Sequence, residues 1–337
     1  MNNVFYFKKI NSVGGCESFY WYLSKKYDFK VYYEKADPEQ IKRLAQNIEC
    51  HKYKQPIKCD KFFCNYTYDI EVDSPIKKHI IHCDYKKVHF PPIVYEGFEY
   101  IGVSQLVCDS FKELTGKDAE LIYNPIYIDK PKVSKHNDNK IHLISATRLT
   151  SEKGLHRMQK LAKILEQNNI DYEWIVYTNR IREAIGNNVI YKEPKLDIIE
   201  DIAKADYLVQ LSDCEAYCYS IVEALSVGTP VICTDLPVFK EIGVKHGENA
   251  IVCNMDMTNI DLELLNKKMA FDYKPPKDSW NKYLSTNKTY NPNEIVEVRV
   301  LKTYTDIELG VKLQKNEIAK MTKGRASYLE SKELVEW

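Results

Sequence analysis

Residues 210–235 read QLSDCEAYCYSIVEALSVGTPVICTD, and the order of textures in this stretch decides the fold. An apolar run, 207–211 (YLVQL), suits a buried parallel strand. Ser212 and Asp213 interrupt it with loop chemistry. Residues 220–227 then place Ile221, Val222, Ala224 and Leu225 on one helical face. Gly228 and Pro230 terminate that helix. Residues 230–234 (PVICT) form the next buried strand. A strand–loop–helix–strand unit of this kind belongs to a doubly wound α/β sheet, whose ligands sit beyond the carboxyl ends of the strands.

Two acids stand in this unit with seven residues between them, Glu215 in the loop and Glu223 inside the helix. The free N–H groups of the helix start suit a phosphate. A carboxylate before the helix can reach sugar hydroxyls, and one within it can take a ribose diol. The plainer alternative is a loop acid and a solvated helix residue. Upstream, residues 145–154 (SATRLTSEKG) set Arg148 past a strand end and Lys153 at the next helix start. There they serve a diphosphate, or they are two solvated charges on a loop rim. Near the amino end, Gly14 and Gly15 separate a first strand from a first helix and allow close backbone approach.

The pair Glu215-x7-Glu223 followed by ALSVGTPVICTD resembles the nucleotide-sugar signature of the retaining GT-B glycosyltransferases of the family 4 type. SATRLTSEKG is similar to that family's Arg…Lys-Gly diphosphate clamp, and the Gly14-Gly15 loop sits in the matching place. The resemblance covers roughly residues 1–290. It implies a fold of two Rossmann-like doubly wound domains facing across a cleft. By it, Glu223 bonds the ribose hydroxyls, Glu215 the transferred sugar, and the amides of Tyr219 and Ser220 the distal phosphate. Arg148 and Lys153 stabilise charge on the leaving diphosphate. Gly14 and Gly15 touch the diphosphate. His82, closing the run HIIH, lies near the sugar and the acceptor, with Asp84 as an acceptor contact or orienting partner. The sequence departs from the family at Ala216-Tyr217-Cys218, where a Gly-Phe-Pro/Gly-like stretch is usual.

The 337 residues carry 48 basic and 48 acidic side chains. Zero net charge argues against bulk nucleic-acid binding or a polybasic membrane patch. No apolar run is long enough to span a bilayer, and the start has no signal-peptide layout. The ten cysteines have no framework spacing and read as reduced thiols. A cytoplasmic location follows, with peripheral association at the inner membrane face as a further expectation. Strands and helices alternate through 1–128. Residues 129–140 (DKPKVSKHNDNK) are a polar, proline-bearing linker. A second α/β domain fills 141–290, with residues 279–284 (SWNKYL) crossing back to the first. Residues 291–337 form a small appended α+β module, a candidate oligomerisation element, faintly similar to small phage-type modules.

The expected activity is transfer of a sugar from a nucleotide sugar, a UDP-sugar first among them, to a glycan, cell-surface polymer or protein. Fixed positive charge at the departing phosphate is the main catalytic device. The resemblance implies front-face attack, in which the leaving phosphate takes the acceptor proton; no residue argues for an enzyme nucleophile. It also implies no cofactor and no divalent metal. His79, Cys83 and His89 have no zinc spacing, and strand alternation puts His79 and His82 on opposite faces. Cys218 reads as a small buried thiol. Two rivals remain. One is a non-catalytic scaffold subunit with the same fold. The other is an epimerase, which would lean on other acids.

Overall fold

The computed structural model describes every residue except Met1, Tyr68 and Arg182. The first lobe is built on a seven-stranded parallel sheet. Its strands are β1 (Asn3–Tyr6), β2 (Lys30–Tyr33), β3 (Glu49–Lys52), β4 (Lys61–Asn65), β5 (Ile76–Ile81), β6 (Glu99–Gly102) and β7 (Ala119–Leu121). They lie in the order β7-β6-β5-β4-β1-β2-β3. Helices α1 (Gly15–Lys26), α2 (Pro38–Leu44) and α3 (Gln105–Thr115) connect them. The second lobe has six parallel strands: β8 (Ile141–Ala146), β9 (Tyr172–Tyr177), β10 (Val189–Lys192), β11 (Tyr207–Gln210), β12 (Val231–Thr234) and β13 (Ala250–Cys253). Their order is β10-β9-β8-β11-β12-β13. Helices α4 (Leu155–Gln167), α5 (Ile199–Lys204), α6 (Tyr219–Val227) and α7 (Pro237–Glu241) complete it.

Both sheets reverse their winding once, between β1 and β4 in the first lobe and between β8 and β11 in the second. That reversal opens the crevice in which doubly wound sheets bind ligands. The central strands, among them β1, β4, β8, β11 and β12, are mainly apolar runs, as a sheet covered on both faces requires. Helix α6 ends where the sequence expects, at Gly228, which adopts the left-handed conformation (φ 86°) and returns its N–H to Ala224 and Leu225.

The lobes touch extensively. Tyr217 Oη donates to the Asn124 carbonyl and Tyr219 Oη to that of Pro125, both at 3.1 Å. The Tyr22 and Tyr219 rings stack at 5.4 Å. Beyond β13 the chain returns to the first lobe, as expected. There the fully buried Trp280 packs among Phe5, Phe19 and Phe63 at 5.3–5.9 Å. Lys288 and Thr289 bond Ser24 and Asp28 of the first lobe. Residues 278–290, grouped with the second lobe by sequence, thus lie against the first.

Strand β3 (ECHK) has no apolar signature, and sequence reading passes over it. It is the edge of the first sheet, so it needs no continuous apolar run. The carboxy-terminal module covers it. Strands β14 (Ile295–Val300), β17 (Ile318–Thr322) and β18 (Val335–Glu336) form an antiparallel sheet, β15 (Tyr304–Asp306) and β16 (Val311–Leu313) a hairpin, and α8 (Lys323–Ser331) a helix. Glu330 of α8 accepts from the Lys52 amide and from Lys54 Nζ, and Trp337 packs on His51 at 4.7 Å. An open strand edge is an aggregation hazard, and the module closes this one. Among the described residues no helix is long and apolar enough to cross a membrane.

Candidate active site

The loop after β8 and the loop after β11 meet at the second lobe's switch point. Lys153 Nζ lies 2.7 Å from Glu215 Oε1. The same oxygen accepts from Ser212 Oγ at 2.8 Å and Gln210 Nε2 at 3.0 Å. Among the described residues Glu215 Oε2 receives no hydrogen bond, so half the carboxylate stays available. Burial is the largest single influence and works to lower the Lys153 pKa, but the charge of Glu215 and its hydrogen bond together outweigh it, and the net shift is upward. Lys153 is therefore a fixed cation at neutral pH.

Gly154 makes this approach possible. Its φ is +78°, and a Cβ there would stand 1.9 Å from the Leu211 carbonyl oxygen. Only glycine accepts both the left-handed turn and that contact. Arg157, which the sequence reading missed, fixes the opposite wall. It is buried in α4, donates from Nε to the Leu211 carbonyl at 2.8 Å and pairs with Asp213. The Asp213 amide in turn bonds the Glu152 carbonyl. Arg157 thus holds the loop that carries Glu215 against the loop that carries Lys153.

Arg148 is placed differently. Its guanidinium is 63% exposed and bonds Glu152 at 2.6 Å. It still lies close enough to oppose protonation of Lys153. At the tip of α6, Cys218 occupies the cap position in a left-handed conformation (φ 73°), and no side chain caps the helix. The amides of Tyr219 and Ser220 open the helix there, with Ser220 Oγ 3.3 Å from both Cys218 Sγ and Gln210 Oε1. Burial pushes the Cys218 thiol up to about 12, which removes it as a nucleophile at neutral pH.

Glu223 is not a freely solvated helix residue. Its Oε1 accepts from Tyr22 Oη of α1 at 2.9 Å, across the lobe boundary. Burial raises its pKa, against the Tyr22 hydrogen bond and the Arg43 charge, which lower it. Lys25, Arg43 and Asp197 all act on the same carboxylate.

At the first lobe's switch point, a Cβ on Gly14 would meet Glu17 Oε2 at 2.3 Å, while Gly15 faces open space. Glu17 Oε1 accepts from the Asn11 amide and side chain, which closes the glycine loop. His82 packs edge-on to Phe19 at 5.1 Å, and its Nε2 is enclosed with no hydrogen-bond partner. Burial lowers its pKa to about 3, so the imidazole is neutral in the working range. Asp84 is buried, with Oδ1 accepting from Ser110 Oγ at 2.5 Å and from the Lys86 amide at 3.0 Å. It holds the turn after His82 onto α3. His79 lies between Tyr95 and Tyr100, away from Phe19, consistent with opposite faces.

Residues 128–264 match the family model described as glycosyl transferases group 1. No curated protein matches the chain. Among solved structures, it is similar to Anabaena Alr3699/HepE in complex with UDP and glucose. That pair has a TM-score of 0.60 at 15% identity, covering 79% of this chain and 89% of the other. A glycosyltransferase from Rickettsia africae gives 0.56 at 14%, over 75% and 84%. WaaG, a glycosyltransferase involved in lipopolysaccharide biosynthesis, gives 0.51 at 12%, over 79% and 89%. The fold is the GT-B arrangement of these proteins, built on two Rossmann-like sheets.

Proposed function

We propose that the chain is a retaining glycosyltransferase that moves a sugar from a nucleotide sugar, a UDP-sugar, to a glycan, polymer or protein hydroxyl. The observation that carries this reading is the Lys153–Glu215 pair at the switch point, beside an uncapped helix tip. Lys153 and the tip amides hold the distal phosphate, with Arg148 turning in from the rim. Glu215 Oε2 accepts from the sugar. Glu223 takes the ribose, with Tyr22 sharing its carboxylate. The anomeric C–O bond to the diphosphate breaks while the acceptor oxygen bonds the same carbon. The acceptor proton passes to the leaving phosphate. Positive side chains serve the diphosphate, so this step uses no divalent cation. The UDP-bound neighbour of the same fold supports the choice of base.

One observation favours a second reading, a non-catalytic subunit. Arg148 is bonded to Glu152, Lys153 to Glu215 and Glu223 to Tyr22, so all four key charges have partners within the chain. A thermal-shift panel of UDP, GDP and their sugars decides first, because a ligand of the native state raises the apparent melting temperature. UDP release from a UDP-sugar, with the product anomer read by NMR, decides second. Turnover removes the subunit reading; binding without turnover over all acceptor classes supports it, and no nucleotide binding at all removes the transferase.

A further inference from the structure

The segment joining the lobes carries a group of side chains that the proposed transfer does not use. His136, Asp138 and His142 each offer a ligand atom, and these atoms all lie within 4.8 Å of one another. The His136 and His142 rings stack face to face at 3.7 Å and 15°. His142 Nε2 is 2.9 Å from Asp138 Oδ1. Its other ring nitrogen, Nδ1, lies 3.7 Å from Glu173 Oε1 on the neighbouring strand β9. His142 is buried in β8, whereas His136 and Asp138 are exposed on the linker.

We propose that His136, Asp138 and His142 form a binding site for a borderline divalent cation of the Zn2+ type, which pins the inter-lobe linker to β8. Two imidazoles and a carboxylate are the donor set such ions take, with water in the fourth position. Metal–ligand bonds of about 2.0–2.2 Å place two ligand atoms up to roughly 4 Å apart. The exposed His136 side chain covers the remaining gap by rotation. Glu173 Oε1 stands 3.7 Å from Nδ1, the nitrogen that does not bind metal, and a small rotation brings this carboxylate into hydrogen-bond reach to orient the imidazole. Rotating His136 also takes its ring out of the stack on His142, so that both in-plane lone pairs can meet one ion. The linker has no helix or strand between Asp129 and Lys140, so a cation would supply order that its backbone does not.

The test uses the full chain, purified without a histidine tag, stripped by chelator and dialysed against Zn2+ or Co2+. About one equivalent of Zn2+ should remain per chain, the melting temperature should rise, and Co2+ should give a visible absorption band. His136→Ala and Asp138→Asn, both at exposed positions, should abolish retention. Glu173→Gln should weaken it by about 10–100-fold. Substoichiometric Zn2+ in the unaltered chain overturns the proposal. So does equal retention by the His136→Ala/Asp138→Asn double variant, which would assign the metal to the cysteines. Metal retention and UDP binding are read separately, so neither outcome decides the other.

Discussion

At the second lobe's switch point, opposite full charges meet at 2.7 Å in Lys153 and Glu215, backed by a buried arginine. At the first lobe's switch point the thiol of Cys16 and the ring of His82 are neutral near pH 7. Burial pushes the Cys16 thiol, bonded to Tyr66, up to about 12, and it lowers His82 to about 3. The acid there, Glu17, is turned back onto Asn11 of its own loop. One topology is thus furnished in two ways. A departing diphosphate calls for fixed positive charge, whereas an attacking hydroxyl calls for uncharged acceptors and little water. The contrast explains why a chain of zero net charge can hold a polarised crevice.

The sharpest way to break this contrast is to remove charge from one side. Lys153→Ala should lower turnover by ~10²–10³, comparable to losing an oxyanion donor, while Asn at His82 should cost far less. Equal losses at the two sites would erase the asymmetry. Glu223→Ala comes next. A hydrogen bond to a charged group contributes about 1.5–3 kcal/mol, so UDP affinity measured by calorimetry should fall about tenfold to a hundredfold. Unchanged affinity would remove the ribose from Glu223.

Arg157→Ala tests the same wall from behind. It leaves the Leu211 carbonyl without its donor, at a cost of about 1–3 kcal/mol to folding. The loop holding Glu215 then loosens. Turnover should drop while the Michaelis constant for the acceptor stays put, and Arg157→Lys should restore stability more than turnover, since a lysine lacks the fork that reaches both Leu211 and Asp213. A variant that loses only stability would make Arg157 a packing residue.

The buried strands of both sheets and the helices α1, α3, α4 and α6 were legible because buried parallel strands and amphipathic helices write themselves as runs and periods. Glu215 and Lys153 were legible as members of motifs, although 62 positions separate them. What stayed hidden depended on tertiary contact. Strand β3 is polar because the module, not the core, covers its edge. Arg157 looks like any helix arginine until Leu211 folds against it. Tyr22 lies 201 positions from the Glu223 it bonds. The His136–Asp138–His142 group straddles a linker and a strand, so no single periodicity sets its members together.

The smallest predicted effect lies on the neutral side and concerns pH. Burial lowers His79 to about 4 and His82 to about 3, from an ordinary 6.5. Above pH 6.5 both the folded and unfolded chains hold these rings neutral, and stability is unaffected. As pH falls below 6.5 the unfolded chain binds protons that the folded chain refuses, so stability falls with pH. The loss continues until the folded groups themselves titrate, near pH 4 and 3. Each ring contributes at most about 1.4 kcal/mol per pH unit in that window. Urea midpoints at pH 7 and pH 5 measure it. The unaltered chain should lose more stability between them than His82→Gln, whose amide does not titrate. Parallel losses in the two proteins would mean that the His82 ring takes up a proton in the folded state. The first lobe's switch point would then be charged like the second.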